Sequence, residues 1–193
     1  MKFNKIIAIC KKSKTFIIHT TDDGRLQWLS NGYACYPLHG HPLYDEESIF
    51  NVASMTDKQA EKCFFTESTM PKELNADDIA DDEQEVQELF PQFYVGGSLM
   101  MPVSTSEGLK FINRGYLAPI EDEESYQIYE RHNKRGIYFV IKAGMFIKAI
   151  ITESDIISEK FVESIDDIHS QIATAYAIKK GKEKAPASEQ MKL

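Results

Sequence analysis

Two stretches of this chain present turn and strand signals in the same order. Residues 22–38 read DDGRLQWLSNGYACYPL, and residues 106–120 read SEGLKFINRGYLAPI. Each begins with a glycine-containing hairpin turn, continues through an apolar strand to a Gly-Tyr step, and then reaches a proline that cannot donate to a sheet. The tetrapeptide DEES follows both stretches, at 45–48 and at 122–125. These ordered matches predict that one module has been duplicated within the chain.

Each copy is predicted to be a three-stranded antiparallel meander followed by a helix, because glycine turns separate short apolar runs and acidic residues then open a helical turn. The predicted strands are 15–20, 25–30 and 33–36 in the first copy and 98–103, 109–113 and 116–118 in the second. The predicted helices are 46–52 and 122–135. Thr56 and Gln59 have the spacing of a capping box, which predicts a further short helix before a closing strand at 63–68.

The rest of the chain supplies elements outside the two meanders. The N-terminal MKFNKIIAICKKSK has a short apolar core and no small-residue cleavage site, so it is predicted to be a first strand rather than a signal peptide. Residues 136–152 form two apolar runs around Ala143 and Gly144, which predicts a hairpin. Apolar residues then recur at helical steps, which predicts an amphipathic helix over 154–179 that Gly181 ends.

These elements predict an α+β fold, mainly an antiparallel sheet from two repeated βββα units with a C-terminal amphipathic helix. The predicted organisation is a first copy over 1–68, an acidic linker over 69–94, a second copy with the hairpin over 95–152, the C-terminal helix over 153–180 and a disordered tail over 181–193.

The formal net charge is −8, and the imbalance lies in one segment. Residues 73–88 contain eight acidic residues and no Lys or Arg, whereas 22 basic and 22 acidic residues occupy the rest of the chain. Such a run is typical of a solvated linker or an exposed helix, and it is also the candidate partner-binding segment. The candidate binding residues are Asp77, Asp78, Asp81, Asp82, Glu83, Glu85 and Glu88. No compact basic patch is visible, so direct binding of nucleic acid has little support.

Residues that could carry chemistry form no catalytic constellation in the sequence. Three widely spaced cysteines with apolar neighbours are typical of buried, reduced thiols, which predicts a cytoplasmic protein. No nucleophile elbow, P-loop or dinucleotide-binding motif occurs, and no apolar run approaches the roughly 20 residues that span a bilayer. We therefore predict no catalytic residue, no cofactor and no membrane association. One alternative stays open, a metal site at His39 and His41 with Cys35 upstream.

Short strings in the chain resemble a known group of proteins. WLSNGYACYPLHGHP at 28–42, with CKKSKTFIIH before it and RGYLAPI after it, is similar to small proteins carried by prophages in Gram-positive bacteria. The resemblance covers about the first 65 residues and 108–150, and it implies a mobile-element origin rather than an activity. Separately, a duplicated antiparallel unit with one helix per copy is similar in outline to the sliding clamps of DNA polymerases, which is a fold-level analogy.

The leading functional hypothesis is a non-enzymatic cytosolic binding or assembly protein of phage or mobile-element origin that acts on a protein partner. The similarity in outline to sliding clamps adds a clamp-like role in phage DNA replication to this hypothesis. The alternative is an inhibitor whose acidic 73–88 segment imitates nucleic-acid charge and thereby occupies a host defence protein. The sequence leaves the identity of the partner and the formation of homo-oligomers open.

Overall fold

The computed structural model describes residues 1–81, 83–123, 125–156 and 158–183, and it separates a unit over 1–154 from a unit over 155–193. The helices of the first unit are α1 (Phe3–Ser13), α2 (Glu46–Val52) and α3 (Asp57–Ala60), with a 3-10 helix at Arg114–Ile120. Its strands are β1 (Thr15–Thr20), β2 (Gln27–Ser30), β3 (Ala34–Pro37), β4 (Phe64–Thr69), β5 (Gln84–Glu85), β6 (Gln87–Glu88), β7 (Phe93–Val95), β8 (Ser98–Thr105), β9 (Gly108–Asn113), β10 (Gln127–Asn133), β11 (Gly136–Ala143) and β12 (Phe146–Thr152). The second unit contains α4 (Glu159–Glu183).

The strands form one large sheet and one small sheet. The large sheet has the order β4-β1-β2-β3-β12-β11-β10-β5, and its pairs are antiparallel except for the parallel pair of β1 with β4. Its centre joins distant parts of the chain, because β3 pairs with β12 and places Cys35 opposite Ile150. The small sheet is built on β8, which pairs with β9 and also with β6 and β7. The predicted α+β class with a mainly antiparallel sheet and a C-terminal helix is confirmed.

The central strands of the large sheet are buried on both faces. One face carries the main core, in which Phe16, Leu29 and Phe139 are fully buried together with residues of α1, α2, the small sheet and the 3-10 helix. The other face carries a smaller cluster that includes Trp28 and Val140. Because both faces of β11 and β12 are covered, their sequences are almost continuously apolar, as buried strands require.

The first meander is confirmed by β1, β2 and β3, which match the predicted strands closely. Its second turn depends on Asn31 and Gly32. Gly32 has a φ of 91°, a conformation that glycine adopts without steric cost. The buried side chain of Asn31 accepts hydrogen bonds from the N–H groups of Tyr33 and Ala34 at 3.1 and 2.9 Å. The confirmed elements that follow are α2, the capped α3 and β4, and further along the chain the hairpin of β11 and β12.

The second copy follows the first only through its opening hairpin. β8 and β9 match the first two predicted strands, but the predicted strand at 116–118 lies in the 3-10 helix and the predicted helix at 122–135 is replaced by β10. At the point of divergence, the Asn113 side chain accepts from the N–H of Gly115 at 3.0 Å and opens the 3-10 helix. β10 then extends because β11 pairs with it along its whole length. The two βββα units are therefore alike over one hairpin and different beyond it.

The N-terminal strand prediction is wrong, because residues 3–13 form α1. Ile6, Ile7 and Cys10 fall on one side of this helix and are buried in the main core, an arrangement that a strand with alternating faces could not give. The helix ends at Lys14, whose φ of 55° is the left-handed conformation common after a helix.

The C-terminal helix is confirmed in kind and differs in its bounds. α4 runs without interruption from Glu159 to Glu183, so Gly181 does not end it. Residue 157, within the predicted helix, and residues 184–193 of the predicted tail lie outside the described residues. Within the described part of the chain, no helix combines the length and the hydropathy that crossing a membrane requires.

Candidate functional site

The acidic segment that the sequence singled out is packed on the sheet and is not a free linker. We call residues 70–85 the strap. Met70, Leu74 and Ala76 of the strap pack against the cluster around Trp28. The backbone N–H of Ile147 donates to the Asp78 carboxylate at 2.8 Å, which fixes the strap to the β11–β12 hairpin. The prediction of a linker over 69–94 is therefore wrong, because apolar side chains between the acids can bury themselves on the sheet.

Glu83 holds the strap through a buried group of charges. Its carboxylate accepts from Arg131 Nε at 3.0 Å and Nη2 at 2.5 Å, and also from Lys142 Nζ. The side chains of Arg131 and Lys142 are only 1% and 6% exposed. Burial by itself would raise the pKa of the Glu83 carboxyl, but the hydrogen bonds and charges of Lys142 and Arg131 outweigh burial and hold that pKa below its ordinary value.

The seven candidate binding residues therefore do not form one surface. Asp78, Glu83 and Glu88 accept hydrogen bonds from other parts of the first unit, in the case of Glu88 from the Tyr126 hydroxyl at 3.1 Å. The exposed candidates are Asp77, Asp81, Glu85 and also Asp78, whose carboxylate keeps solvent access beside its bond to Ile147. Asp82 lies outside the described residues. Some carboxylates of the acidic run therefore form hydrogen bonds within the first unit, and others are exposed to solvent.

The residues of the alternative metal site, His39, His41 and Cys35, lie in different environments. The His41 ring lies 4.4 Å from the Phe3 ring, and its Nδ1 lies 3.2 Å from the Tyr44 hydroxyl. His39 is exposed, and Cys35 is buried in the strap-side cluster. Across the described ranges, no group of three or more His, Cys, Asp and Glu side chains is placed to hold a metal ion.

The buried thiols are poor nucleophiles. Burial raises the pKa of the Cys10 thiol to about 12 and raises that of Cys35 further above its ordinary range. The predicted burial is therefore confirmed for Cys10 and Cys35, whereas Cys63 is half-buried. At neutral pH both remain protonated, so neither supplies the thiolate that nucleophilic catalysis needs.

A cavity of about 350 Å³ lies between the strap and the large sheet, with Ile137 and Ile150 among its lining residues. His19 also lines it, and burial lowers the pKa of this imidazole, which is therefore neutral at pH 7. The His19 Nδ1 lies 2.8 Å from the Ser68 hydroxyl, a contact between a potential base and a potential nucleophile. Within the described residues no carboxylate bonds to this imidazole, and Ser68 does not line the cavity, so the pair falls short of a catalytic arrangement.

The most distinctive surface is a groove of about 810 Å³ formed by α2, α3 and the edge strand β4. We call it the acidic groove. Its apolar lining is Phe50, Ala60, Cys63 and Phe65, and its carboxylates are Asp45, Glu46, Glu47, Asp57, Glu61 and Glu67. None of its lining residues is basic, and none of these six carboxylates forms an ion pair within the described part of the chain.

Local structure explains why acids gather in this groove. The Asp45 carboxylate caps α2 by accepting from the Ser48 N–H at 2.9 Å, and hydrogen bonds from Ser48 lower the pKa of Asp45. Glu46 and Glu47 occupy the first turn of α2, where negative charge complements the helix dipole. Phe50 then points inward and packs against the rings of Phe16 and Phe65, with centroid distances of 5.3 and 5.7 Å. The groove thus has an aromatic floor beneath solvated acids.

Strand β4 leaves one edge of the large sheet open beside this groove. It pairs with β1 and with no other strand in the described ranges. A backbone hydrogen bond lies at each end of this pairing. The N–H of Phe64 donates to the carbonyl of Lys14, and the N–H of Met70 donates to the carbonyl of Thr20. Because backbone groups alternate along a strand, the N–H and C=O groups of Phe65 and Glu67 point away from β1. The outward edge therefore lies along the acidic groove.

Sequence reasoning missed the acidic groove. Its acids are spread over 45–67 and are interrupted by Lys58 and Lys62, so they form no charge run. Only the parallel pairing of β1 with β4 brings Glu67 next to the helices. The capping residues at Asp45 and Thr56 were the available signal, because α2 begins with Glu46 and Glu47 and α3 begins with Asp57. No family model, no curated protein and no solved structure matches this chain.

Proposed function

We propose that this protein is a non-enzymatic binding protein that engages a positively charged protein partner through the acidic groove. The observation that carries the proposal is an apolar floor of Phe50 and Phe65 surrounded by six carboxylates without ion-pair partners in the described residues. An apolar centre with a charged rim is the usual anatomy of a protein interface. Charge of one sign around it favours encounter with a partner of the opposite sign.

The proposal includes the cytosolic location and the mobile-element origin that the sequence predicts, and each rests on its own support. The location is supported by the three free cysteines, of which Cys10 and Cys35 are buried as thiols. The origin is supported by the sequence resemblance to prophage-encoded proteins. A clamp-like role is not part of the proposal, because that similarity required a helix at 122–135, where the chain forms β10.

The alternative of nucleic-acid mimicry by the strap has less support than the acidic groove. In the part of the strap that the structure describes, Asp77, Asp81 and Glu85 are exposed without an internal hydrogen bond, Asp78 is exposed but accepts from Ile147, and Glu83 bonds to buried cations. A mimic of a phosphate backbone requires a regular array of accessible charges. Mimicry by the 73–88 segment therefore remains a prediction that the same experiment addresses.

Two variants with equal charge changes test the proposal. The groove variant carries Glu46→Gln, Glu61→Gln and Glu67→Gln, and the strap variant carries Asp77→Asn, Asp81→Asn and Glu85→Gln. All six residues are exposed, so each change is expected to alter stability by less than about 0.5 kcal/mol. Each protein is used to capture partners from an extract of the source cells, and recovered proteins are quantified by mass spectrometry.

We expect a defined partner that the wild type and the strap variant recover equally and that the groove variant loses. Loss with the strap variant alone would instead favour nucleic-acid mimicry by residues 73–88. Equal recovery by all three proteins, or recovery of no partner, would contradict the proposal. Raising the salt concentration should weaken capture by the wild type, because screening reduces attraction between exposed charges.

A further inference from the structure

The outward edge of β4 has the properties of an edge that accepts another strand. Exposed edge strands present unpaired backbone groups, and proteins commonly protect them with lysine, proline or a bulge. Residues 64–69 read FFTEST, and they contain neither lysine nor proline. Their pairing with β1 is regular over all six positions. Glu67 is the only charged residue in this run, and the outward edge is regular and available for backbone hydrogen bonding.

We infer that the partner binds as an extended segment that adds a strand to the outward edge of β4 and directs Lys or Arg side chains into the acidic groove. This inference rests on the proposed function and states its binding mode. The backbone of the added segment would pair with the N–H and C=O groups of Phe65 and Glu67 that point away from β1. Strand addition of this kind supplies affinity through the main chain and specificity through alternate side chains.

Side-chain alternation determines the sequence pattern of the partner. Phe65 and Glu67 both line the acidic groove, whereas the side chain of Phe64, the first residue of β4, lies on the opposite face of the sheet and is 60% exposed. Neighbouring side chains of an added strand lie on the same faces as those of β4. One alternate set of partner residues therefore meets the carboxylates, and the other set lies beside Phe64. The expected partner segment alternates cationic residues with apolar or β-branched residues.

The aromatic floor favours long cationic side chains in particular. The methylene stem of a Lys or Arg can pack on Phe50 and Phe65 while its charge reaches the carboxylates around them. A ring face within reach also attracts the cation directly. Phosphate groups would meet repulsion from the same carboxylates, so nucleic acid does not fit this surface.

A second copy of this chain does not fit the edge either. Two β4 strands pairing with each other would bring two acidic grooves together, and each contributes Glu67 and the acids of α2 and α3. Like charges placed opposite each other on paired strands are destabilising. Charge therefore selects a different molecule, one with a cationic strand.

The test uses a seven-residue peptide in which Lys alternates with Val and Thr, together with two N-methylated versions. One version is methylated at the odd-numbered amides and the other at the even-numbered amides, so each loses donors along one edge only and keeps all its charges. Affinities for the full chain are measured by calorimetry at low salt. Amide hydrogen exchange of β4 is followed by NMR in the same samples.

We expect the unmethylated peptide and one methylated peptide to bind similarly, and the other methylated peptide to bind about tenfold more weakly because its hydrogen bonds to the edge are lost. Exchange at Phe65 and Glu67 should slow on binding, whereas Thr66 and Ser68 should change little because their amides already face β1. All three peptides should bind the groove variant with lower affinity than they bind the wild type.

The outcomes separate the binding mode from the function. Equal binding of all three peptides with unchanged exchange at Phe65 and Glu67 would overturn strand addition. If the groove variant still weakened binding in that case, the proposed function would stand without it. Failure of every peptide to bind the wild type would overturn the inference, and cellular capture that still depends on the acidic groove would show that the proposed function survives.

Discussion

Replacing Glu83 with Gln removes the carboxylate that lies between Arg131 and Lys142. Both cations are almost completely buried, so they cannot recover water as a substitute partner. Breaking a buried ion pair by removing one partner costs about 3–5 kcal/mol. The amide keeps one acceptor oxygen, and Arg131 still donates to the Asn75 carbonyl at 2.8 Å, so we expect the lower end, about 3 kcal/mol.

This loss of stability should be visible in thermal and chemical unfolding. For a domain of this size, 3 kcal/mol corresponds to a decrease in Tm of about 6–12 °C. Trp28 is the sole tryptophan of the chain and is buried beneath the strap, so its fluorescence reports on the affected face during urea unfolding. Glu85→Gln is the matched control, because Glu85 is exposed two residues away and should change stability by less than about 0.5 kcal/mol.

The pH dependence gives a second measurement of the same charges. The pKa of the Glu83 carboxyl is lowered in the folded chain, so the unfolded chain binds its proton more readily. The contribution of Glu83 is therefore complete above the unfolded pKa of about 4.3 and is lost as pH falls through the lower folded pKa. The difference in unfolding free energy between the wild type and Glu83→Gln should shrink at acidic pH. A difference below about 1 kcal/mol at pH 7 would refute the buried-charge argument.

Three further changes have expected outcomes. Asn31→Ala should lower the free energy of unfolding by about 1–2 kcal/mol in urea melts, because two N–H groups lose their acceptor, whereas Asn113→Ala at the corresponding half-exposed turn should cost less. Lys14→Gly should raise that free energy by about 0.5–1 kcal/mol, since its φ is 55° and glycine adopts this conformation freely; a lower Tm would contradict this. Iodoacetamide at pH 8 should label half-buried Cys63 long before Cys10, as read by peptide mass spectrometry, and equal rates would refute the burial of Cys10.

Turn chemistry allowed much of the fold to be predicted from sequence. Asn31 and Gly32 specify their turn locally, and the prediction of β1, β2 and β3 is accurate for that reason. Asn113 and Gly115 look similar in sequence, but there the glycine lacks a positive φ and the chain enters a 3-10 helix. Local sequence signals therefore predict a strand correctly where the residues of the turn alone determine the backbone conformation.

Elements that depend on contacts between distant parts of the chain could not be predicted from local sequence signals. The segment of β10 carries helix-favouring acids before it, yet it extends because β11 offers seven paired positions. α1 lacks a capping side chain, so the sequence contains no capping signal that would distinguish its apolar run from a strand. The acidic groove depends on β4 reaching β1 across more than 40 residues, which no window of sequence contains.

The pairing of β3 with β12 has a consequence for how the chain is made. On the ribosome, β3 emerges more than 100 residues before the strand that completes the centre of the sheet. During that interval its future pairing edge has no permanent partner, and nascent chains with such edges are prone to aggregate. We expect the yield of native protein in cell-free translation to depend on chaperones that shield early strands. Fragments that stop before residue 146 should be insoluble for the same reason.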